Sequence, residues 1–277
     1  MERFQLRRLL ESFYAEDIGS GDQTSSFLFD GEQCEAVIKS KAAGLLAGTD
    51  VITEGFQLML EGIQISLQKR DGDSLSKGEP IAVLKGPAGA MLTGERVVLN
   101  LLQRMSAIAT QTRQAIRLLD DEHTRICDTR KTMPGLRMLD KYAVRVGGGY
   151  NHRFGLYDGI MIKDNHIAAC GSITEAVRRA RSCAGHMIRI EVEIESEAQL
   201  LEAIAAQADV IMFDNRSPEE VKHFASLTPE SIITEASGGI TFNTLHQYRG
   251  TGVDYISLGF LTHSVHSLDI SMDVELR

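Results

Sequence analysis

Three things are scarce in this sequence. Its four cysteines, Cys34, Cys127, Cys170 and Cys183, are scattered with no C-x-x-C pair, which argues against a disulfide framework and against a structural zinc site. No apolar run approaches the ~18 residues of a membrane span. The opening "MERFQLRRLLESFY" mixes charge with hydrophobic residues instead of building a signal-peptide core, so a soluble, cytoplasmic protein is expected. Positive charge is in deficit: 29 Lys and Arg stand against 38 Asp and Glu, for a net charge of −9. Binding along a nucleic-acid backbone needs spread positive charge, so that class of partner is not expected. The chain also lacks a Walker loop, a nucleophile elbow, an H-E-x-x-H helix, an internal repeat and a low-complexity tail.

What is there reads as an ordinary folded chain: 277 residues, 43% apolar and 24% charged. "FQLRRLLESFY" has helical spacing, with Phe4, Leu6, Leu9, Leu10 and Phe13 on one broad face, and "EDIGSGDQTS" reads as the loop that ends it. Short strand-like segments follow at "CEAVIKS", "GIQISLQK" and "PIAVLKG", with a helix near "DVITEGFQLML". Together they predict a small α+β unit over residues 1–105, to which 266–277 would return if "SLDISMDVEL" forms a strand there. A long helix then runs through "AGAMLTGERVVLNLLQRMSAIATQTRQAIRLL".

Beyond it, six apolar strands, "TRICD", "GIMIKD", "MIRIEVE", "DVIMFD", "SIITEA" and "VDYISLG", alternate with amphipathic helices. That rhythm predicts a parallel α/β sheet. Six strands are too few for a closed eight-stranded barrel, so an open barrel over 106–265 is expected. Each strand ends on polar residues: Thr129, Arg130 and Lys131; Lys163; Glu193; Asp214; Ser237, Gly238 and Gly239; Ser257 and Gly259. In parallel barrels such residues gather at one rim, where active sites form.

The rim chemistry points to anions. Arg130, Arg153 and Lys163 stay charged at any physiological pH, and Arg grips carboxylates and phosphates with paired bonds. "ASGGI" and "SLG" put small residues where backbone N–H groups can approach a phosphate. Glu193 and Asp214 suit ribose hydroxyls, water-mediated Mg²⁺ or developing positive charge. Arg137, Lys141 and Arg145, four residues apart, read as a solvated helix face. "GGGYNHR" reads as tight turns that position His152 and Arg153. On these residues alone a phosphate-binding barrel lyase or isomerase is the expected reading, with a silent binding protein as the alternative from another class.

A family resemblance narrows the choice. "DTRKTMPGLRMLDKYAVRVGGGYNHRFGLYDGIMIKDNH", with "TGERVVLNLLQRMSAIAT" before it and "EVE", "FDN", "EASGGI" and "GVDYISLGFLTHSVHSLDIS" after it, closely resembles the quinolinate phosphoribosyltransferase family over nearly the whole chain. The resemblance implies an N-terminal α+β sandwich joined to an open barrel and a homodimer with shared sites, or a hexamer. It also implies conversion of quinolinate and phosphoribosyl pyrophosphate, with Mg²⁺, to nicotinate mononucleotide, pyrophosphate and CO₂. By the same resemblance Thr129, Arg130, His152, Arg153 and Lys163 would hold quinolinate, and Arg96 in "GERVVLN" would enter from the partner subunit. Lys131, Glu193, Asp214, Ser237, Gly238, Gly239, Ser257, Gly259 and His263 would hold phosphoribosyl pyrophosphate, with Mg²⁺ near Glu193 and Asp214 and bound mainly through pyrophosphate and water. Two departures stand out: Ala107 where the family often has Gly, and Phe260 where a small residue is common. Phe260 is expected to narrow the phosphate end.

Overall fold

The computed structural model describes residues 1–59 and 62–276. Helices α1 (Arg3–Ile18) and α2 (Gln23–Leu28) precede β1 (Gln33–Ser40), β2 (Gly44–Leu45), α3 (Thr49–Met59), β3 (Gln64–Leu67), β4 (Ser74–Leu75) and β5 (Pro80–Pro87). The 32-residue helix α4 (Ala88–Leu119) follows. Next come β6 (Arg125–Cys127), α5 (Arg137–Val146), β7 (Ile160–Ile162), α6 (Asp164–Cys170), α7 (Ile173–Cys183) and β8 (Ile190–Ile194). The last stretch holds α8 (Glu197–Ala205), β9 (Val210–Asp214), α9 (Pro218–Leu227), β10 (Ile233–Ser237), β11 (Tyr255–Ser257), α10 (Phe260–His263) and β12 (Ile270–Leu276). Two compact units result: Met1–Gln111 with Met133–Gly147 and Ser264–Arg277, and Thr112–Thr132 with Gly148–His263.

The first unit is built on an antiparallel sheet of order β12-β1-β5-β3. Strand β1 alternates as its sequence dictates, turning Cys34, Ala36 and Ile38 into the core and their neighbours outward. Onto that core α3 packs Val51, Ile52 and Phe56, and α1 packs Leu6, Leu10 and Tyr14. The buried stripe of α1 is therefore a strict four-residue row. Phe4, expected on it, is 73% exposed, because it lies off the line that Leu6, Leu10 and Tyr14 define. The stretch read as a loop after α1 contains α2, whose N-cap Asp22 accepts from the backbone N–H groups of Thr24 and Ser25. The segment "SLDISMDVEL" becomes β12, antiparallel to β1 with Ile270 opposite Ser40 and Leu276 opposite Cys34.

Helix α5 departs from expectation. It sits in sequence among the strands of the second unit but belongs to the first, where Leu139, Ala143 and Val144 join the apolar core. Those three residues decide which face turns inward, and Asp140 and Lys141 beside them go in too. Lys141 is fully buried, not solvated as read from its spacing, while Arg145, one turn further on, stays exposed. Arg104 on α4 meets the buried Asp140 with two parallel bonds of 2.8 Å.

The second unit is a wholly parallel sheet of order β6-β11-β10-β9-β8-β7. Its two-residue period sorts the side chains. Ile126, Ile162, Val192, Ile211, Phe213, Ala236 and Ile256 pack outward with α7, α8 and α9, leaving Glu191, Glu193, Met212, Asp214, Glu235, Ser237 and Ser257 for the inner face. Residues following both edge strands, β6 and β7, line one cavity, so the sheet is curled as an open barrel.

Candidate active site

At the carboxyl ends of the six strands lies a cavity of about 580 Å³. It is lined by Thr129, Arg130 and Lys131 after β6, Lys163 after β7, Glu193 of β8, Asp214 and Asn215 at the end of β9, Ser237, Gly238 and Gly239 at the end of β10, and Ser257 of β11. His152 and Arg153 join them from the loop that follows the bridge between Cys127 and Tyr150. Thus strand ends separated by more than a hundred residues converge on one rim, as the pattern of polar termini implied.

One wall concentrates positive charge. Burial, and then the neighbouring Arg130 guanidinium, lower the Arg153 pKa from its ordinary value. Its Nη1 donates to the Gly159 carbonyl at 2.8 Å, but its Nε, like that of Arg130, is buried without a hydrogen-bond partner. Two neighbouring guanidinium groups, each with an unmet Nε donor, are suited to an anion. Lys163 Nζ meets Glu193 Oε2 at 2.5 Å.

The loop is fixed from below. Asp128, fully buried, accepts from Asn151 Nδ2 at 2.6 Å and from the His152 backbone N–H at 2.9 Å. His152 Nδ1 accepts the Arg153 backbone N–H at 2.8 Å, and Nε2 lies 3.0 Å from Glu191 Oε2. An Nδ1 that accepts must carry a lone pair, so the network assigns a neutral ring with its proton on Nε2, donated to Glu191. Among the triple glycines, Gly148 alone takes a positive φ, +95°, which places the special turn at that residue.

The opposite wall is small and backbone-rich. Gly238 has φ +87°, and a Cβ there would lie 2.3 Å from Asn215 Oδ1 and 2.9 Å from Asp214 Oδ1. A side chain there would strain the backbone and push Asn215 and Asp214 aside. Asn215 Nδ2 in turn donates to Asp214 Oδ2 at 2.6 Å. Gly259 and His263 are not among the lining residues, but they pack beside one: a Cβ on Gly259 would lie 3.0 Å from Lys131 Cδ and 3.2 Å from His263 Cδ2. Thr262 Oγ1 also donates to the Lys131 carbonyl at 2.9 Å, tying α10 to the end of β6. Phe260 does not narrow the cavity. Its ring packs on Phe242 at 4.6 Å between centroids, since an apolar ring gains more in the core than at a charged rim. Arg96 lies in the first unit, on α4, with an exposed side chain.

Two residues escaped the sequence reading. Glu191 and Glu235 are buried below the rim, within reach of His152: its Nε2 is 3.0 Å from the first and 3.7 Å from the second. Desolvation, and then the Glu191 charge, raise the Glu235 pKa to about 8. The signal was present in "EVE" and "TEAS", because strand alternation puts Glu191 on the face of Glu193 and Glu235 on the face of Ser237.

Fold and site together define a class: an open α/β barrel whose strand-end pocket serves polyanionic small molecules, one wall suited to carboxylates and the other to phosphate. The family model for the quinolinate phosphoribosyl transferase N-terminal domain matches residues 22–106, and that for the C-terminal domain matches residues 108–273. The chain belongs to the quinolinate phosphoribosyl transferase family. It is 67% identical, over all of its length and 96% of the relative's, to a probable nicotinate-nucleotide pyrophosphorylase [carboxylating] of Bacillus subtilis. A nicotinate-nucleotide pyrophosphorylase [carboxylating] of Rattus norvegicus is 37% identical, with 96% and 90% of the two chains covered. Its fold matches the crystal structure of NadC from Streptococcus pyogenes with a TM-score of 0.96, at 42% identity and with 100% and 99% of the two chains covered.

Proposed function

We propose that this chain transfers a phosphoribosyl group from phosphoribosyl pyrophosphate to quinolinate and releases CO₂, forming nicotinate mononucleotide and pyrophosphate for de novo NAD synthesis. The observation that carries this reading is the pairing, in one cavity, of two guanidinium groups whose Nε donors are unmet with a glycine-built wall that a side chain would crowd. A diacid and a phosphorylated sugar satisfy both at once.

In this reading Arg130, Arg153 and Lys163 take the two ring carboxylates, with Thr129 and the neutral His152 beside them. Ser237, Gly238, Gly239 and Ser257 cradle the 5′-phosphate, while Lys131, flanked by Gly259 and His263, faces the pyrophosphate. Glu193 and Asp214 flank the ribose and stabilise positive charge at its anomeric carbon as pyrophosphate departs and the ring nitrogen attacks from the opposite side. Lys163 must let go of Glu193 for both to reach substrate, so their ion pair couples the two halves of the site. Once the ring nitrogen is quaternised, its positive charge stabilises the electron pair left on the ring carbon when the 2-carboxylate departs as CO₂, and a proton then adds to that carbon.

Mg²⁺ fits the donor set: Glu193 and Asp214 offer hard oxygen donors in the cavity, and Mg²⁺ favours one or two carboxylates with substrate phosphates and water. Bound through pyrophosphate and water near those two residues, it would neutralise charge on the leaving group. The same reading includes a cytoplasmic homodimer in which Arg96 completes the partner's site. Quinolinate, phosphoribosyl pyrophosphate and Mg²⁺ should give nicotinate mononucleotide and CO₂, and a chelator should stop turnover. Arg130→Ala should cost about 2–5 kcal/mol in kcat/KM with its melting temperature unchanged. Activity within a few-fold of wild type would take Arg130 out of the site.

A further inference from the structure

Beneath the diacid pocket, His152, Glu191 and Glu235 bring their ligand atoms within 4.8 Å of one another, the one such trio among the described residues. Both carboxylates are over nine-tenths buried, and Oε1 of each lacks a hydrogen-bond partner. Two species could neutralise such a cluster, a metal ion or a proton. The histidine decides between them. Its Nδ1 lone pair is taken by the Arg153 N–H at 2.8 Å, so Nε2 carries hydrogen and has no lone pair for a metal. A proton is left. A carboxyl buried this close to a second carboxylate cannot ionise cheaply, and Glu235 retains its proton.

The surroundings favour Glu235 as the holder. Strand β9 presents the uncharged Met212 opposite it, and β11 contributes Ser257, whose hydroxyl lies beside the carboxyl but makes no hydrogen bond of good geometry. Glu191 on β8 and Asp128 after β6 face it with negative charge and raise its pKa, while His152 and Ser257 act in the opposite direction and are outweighed. Glu191, by contrast, accepts the His152 proton and lies within the field of Arg153. A second cavity, of about 300 Å³, opens at the amino ends of the strands. It is lined by Ile160, Val210, Ile233 and Tyr255 with the charged Arg153, Asp158 and Arg189, and it too reaches His152, Glu191 and Glu235. That gives the buried pair a path for exchange with water separate from the substrate mouth.

We propose that Glu235 keeps its proton below the diacid pocket and that it and Glu191 act as positioning residues, holding His152 as the neutral Nε2–H ring so that Arg130, Arg153 and Lys163 alone supply the selecting charge. This rests on the reading of the pocket as the quinolinate site. Its consequence is a pH limb belonging to the enzyme's interior. Quinolinate KM should be flat through the ordinary histidine range. It should then rise about tenfold from about pH 7 to about pH 9, as a second negative charge develops under the guanidinium groups.

Wild type and Glu235→Gln should be compared with quinolinate varied across that range. The substitution should remove the alkaline rise in quinolinate KM and leave the pH dependence of kcat far less altered. A purely structural role would shift both parameters at all pH values. Denaturant unfolding gives an independent reading. A folded-state pKa raised from 4.5 to about 8 contributes stability that is complete below the lower value and is lost as pH rises through the higher. Wild-type stability relative to Glu235→Gln should therefore fall across that window and level off above it. An unchanged KM profile in the variant, a stability difference that is flat with pH, or tight Zn²⁺ or Mn²⁺ binding lost in Glu235→Gln would each overturn the proposal. A wild-type enzyme inactive towards quinolinate would instead sink the reading of the site, and the unfolding experiment would still judge the proton.

Discussion

Gly238 shows how much one missing side chain can matter. Its left-handed backbone and the 2.3 Å approach of Asn215 Oδ1 leave Ala no comfortable position. Forcing one in costs ~1–3 kcal/mol, to be relieved by displacing Asn215 and with it Asp214. Gly238→Ala should raise the KM for phosphoribosyl pyrophosphate about tenfold while quinolinate KM changes little, a split that steady-state kinetics with each substrate varied in turn would reveal. Equal loss for both substrates would mean that the whole rim had shifted. Arg130, Lys163 and Glu193 were legible in the sequence for a related reason: each sits at or just beyond the end of a strong apolar strand, where a parallel sheet has one place to put it. Glu235 and Glu191 were not, because a carboxylate inside a strand reads as a surface residue until the curl of the sheet makes its inner face an interior.

At the scale of elements, α4 and α5 are joined by a charge pair that is costly to break. Arg104→Ala would leave Asp140 fully buried and unpaired, at a cost of ~3–5 kcal/mol, visible as a lower denaturant midpoint with an unaltered slope. A loss below ~1 kcal/mol would mean that water reaches Asp140 once Arg104 is gone. The six strands of the parallel sheet and the helices between them could be read from local periodicity, as could the full span of α4. The allegiance of α5 could not. Its cations repeat every four residues as a solvated row would, and only the core it meets reveals that Leu139, Ala143 and Val144 outweigh them. Likewise "SLDISMDVEL" announces a strand but not its neighbour, since alternation fixes which side chains share a face and is silent about which edge they join.

At the scale of the whole molecule, the proposed sharing of sites can be tested by mixing. Arg96→Ala and Arg130→Ala should each be nearly inactive alone. After subunit exchange, random pairing makes half the dimers mixed, each with one intact site, so about a quarter of wild-type activity should return. No recovery after proven exchange would place Arg96 and Arg130 in the service of the same subunit's pocket. The pairing of β12 with β1 has a consequence for how the chain is made. The first unit holds most of its core within its first 111 residues, yet one edge of β1 has no strand beside it until residues 270–276 have been synthesised. Through all of that interval β1 offers an open hydrogen-bonding edge to any neighbouring nascent chain. The ribosome thus finishes the parallel sheet before it can seal the older one, and the last strand to emerge acts as the clasp.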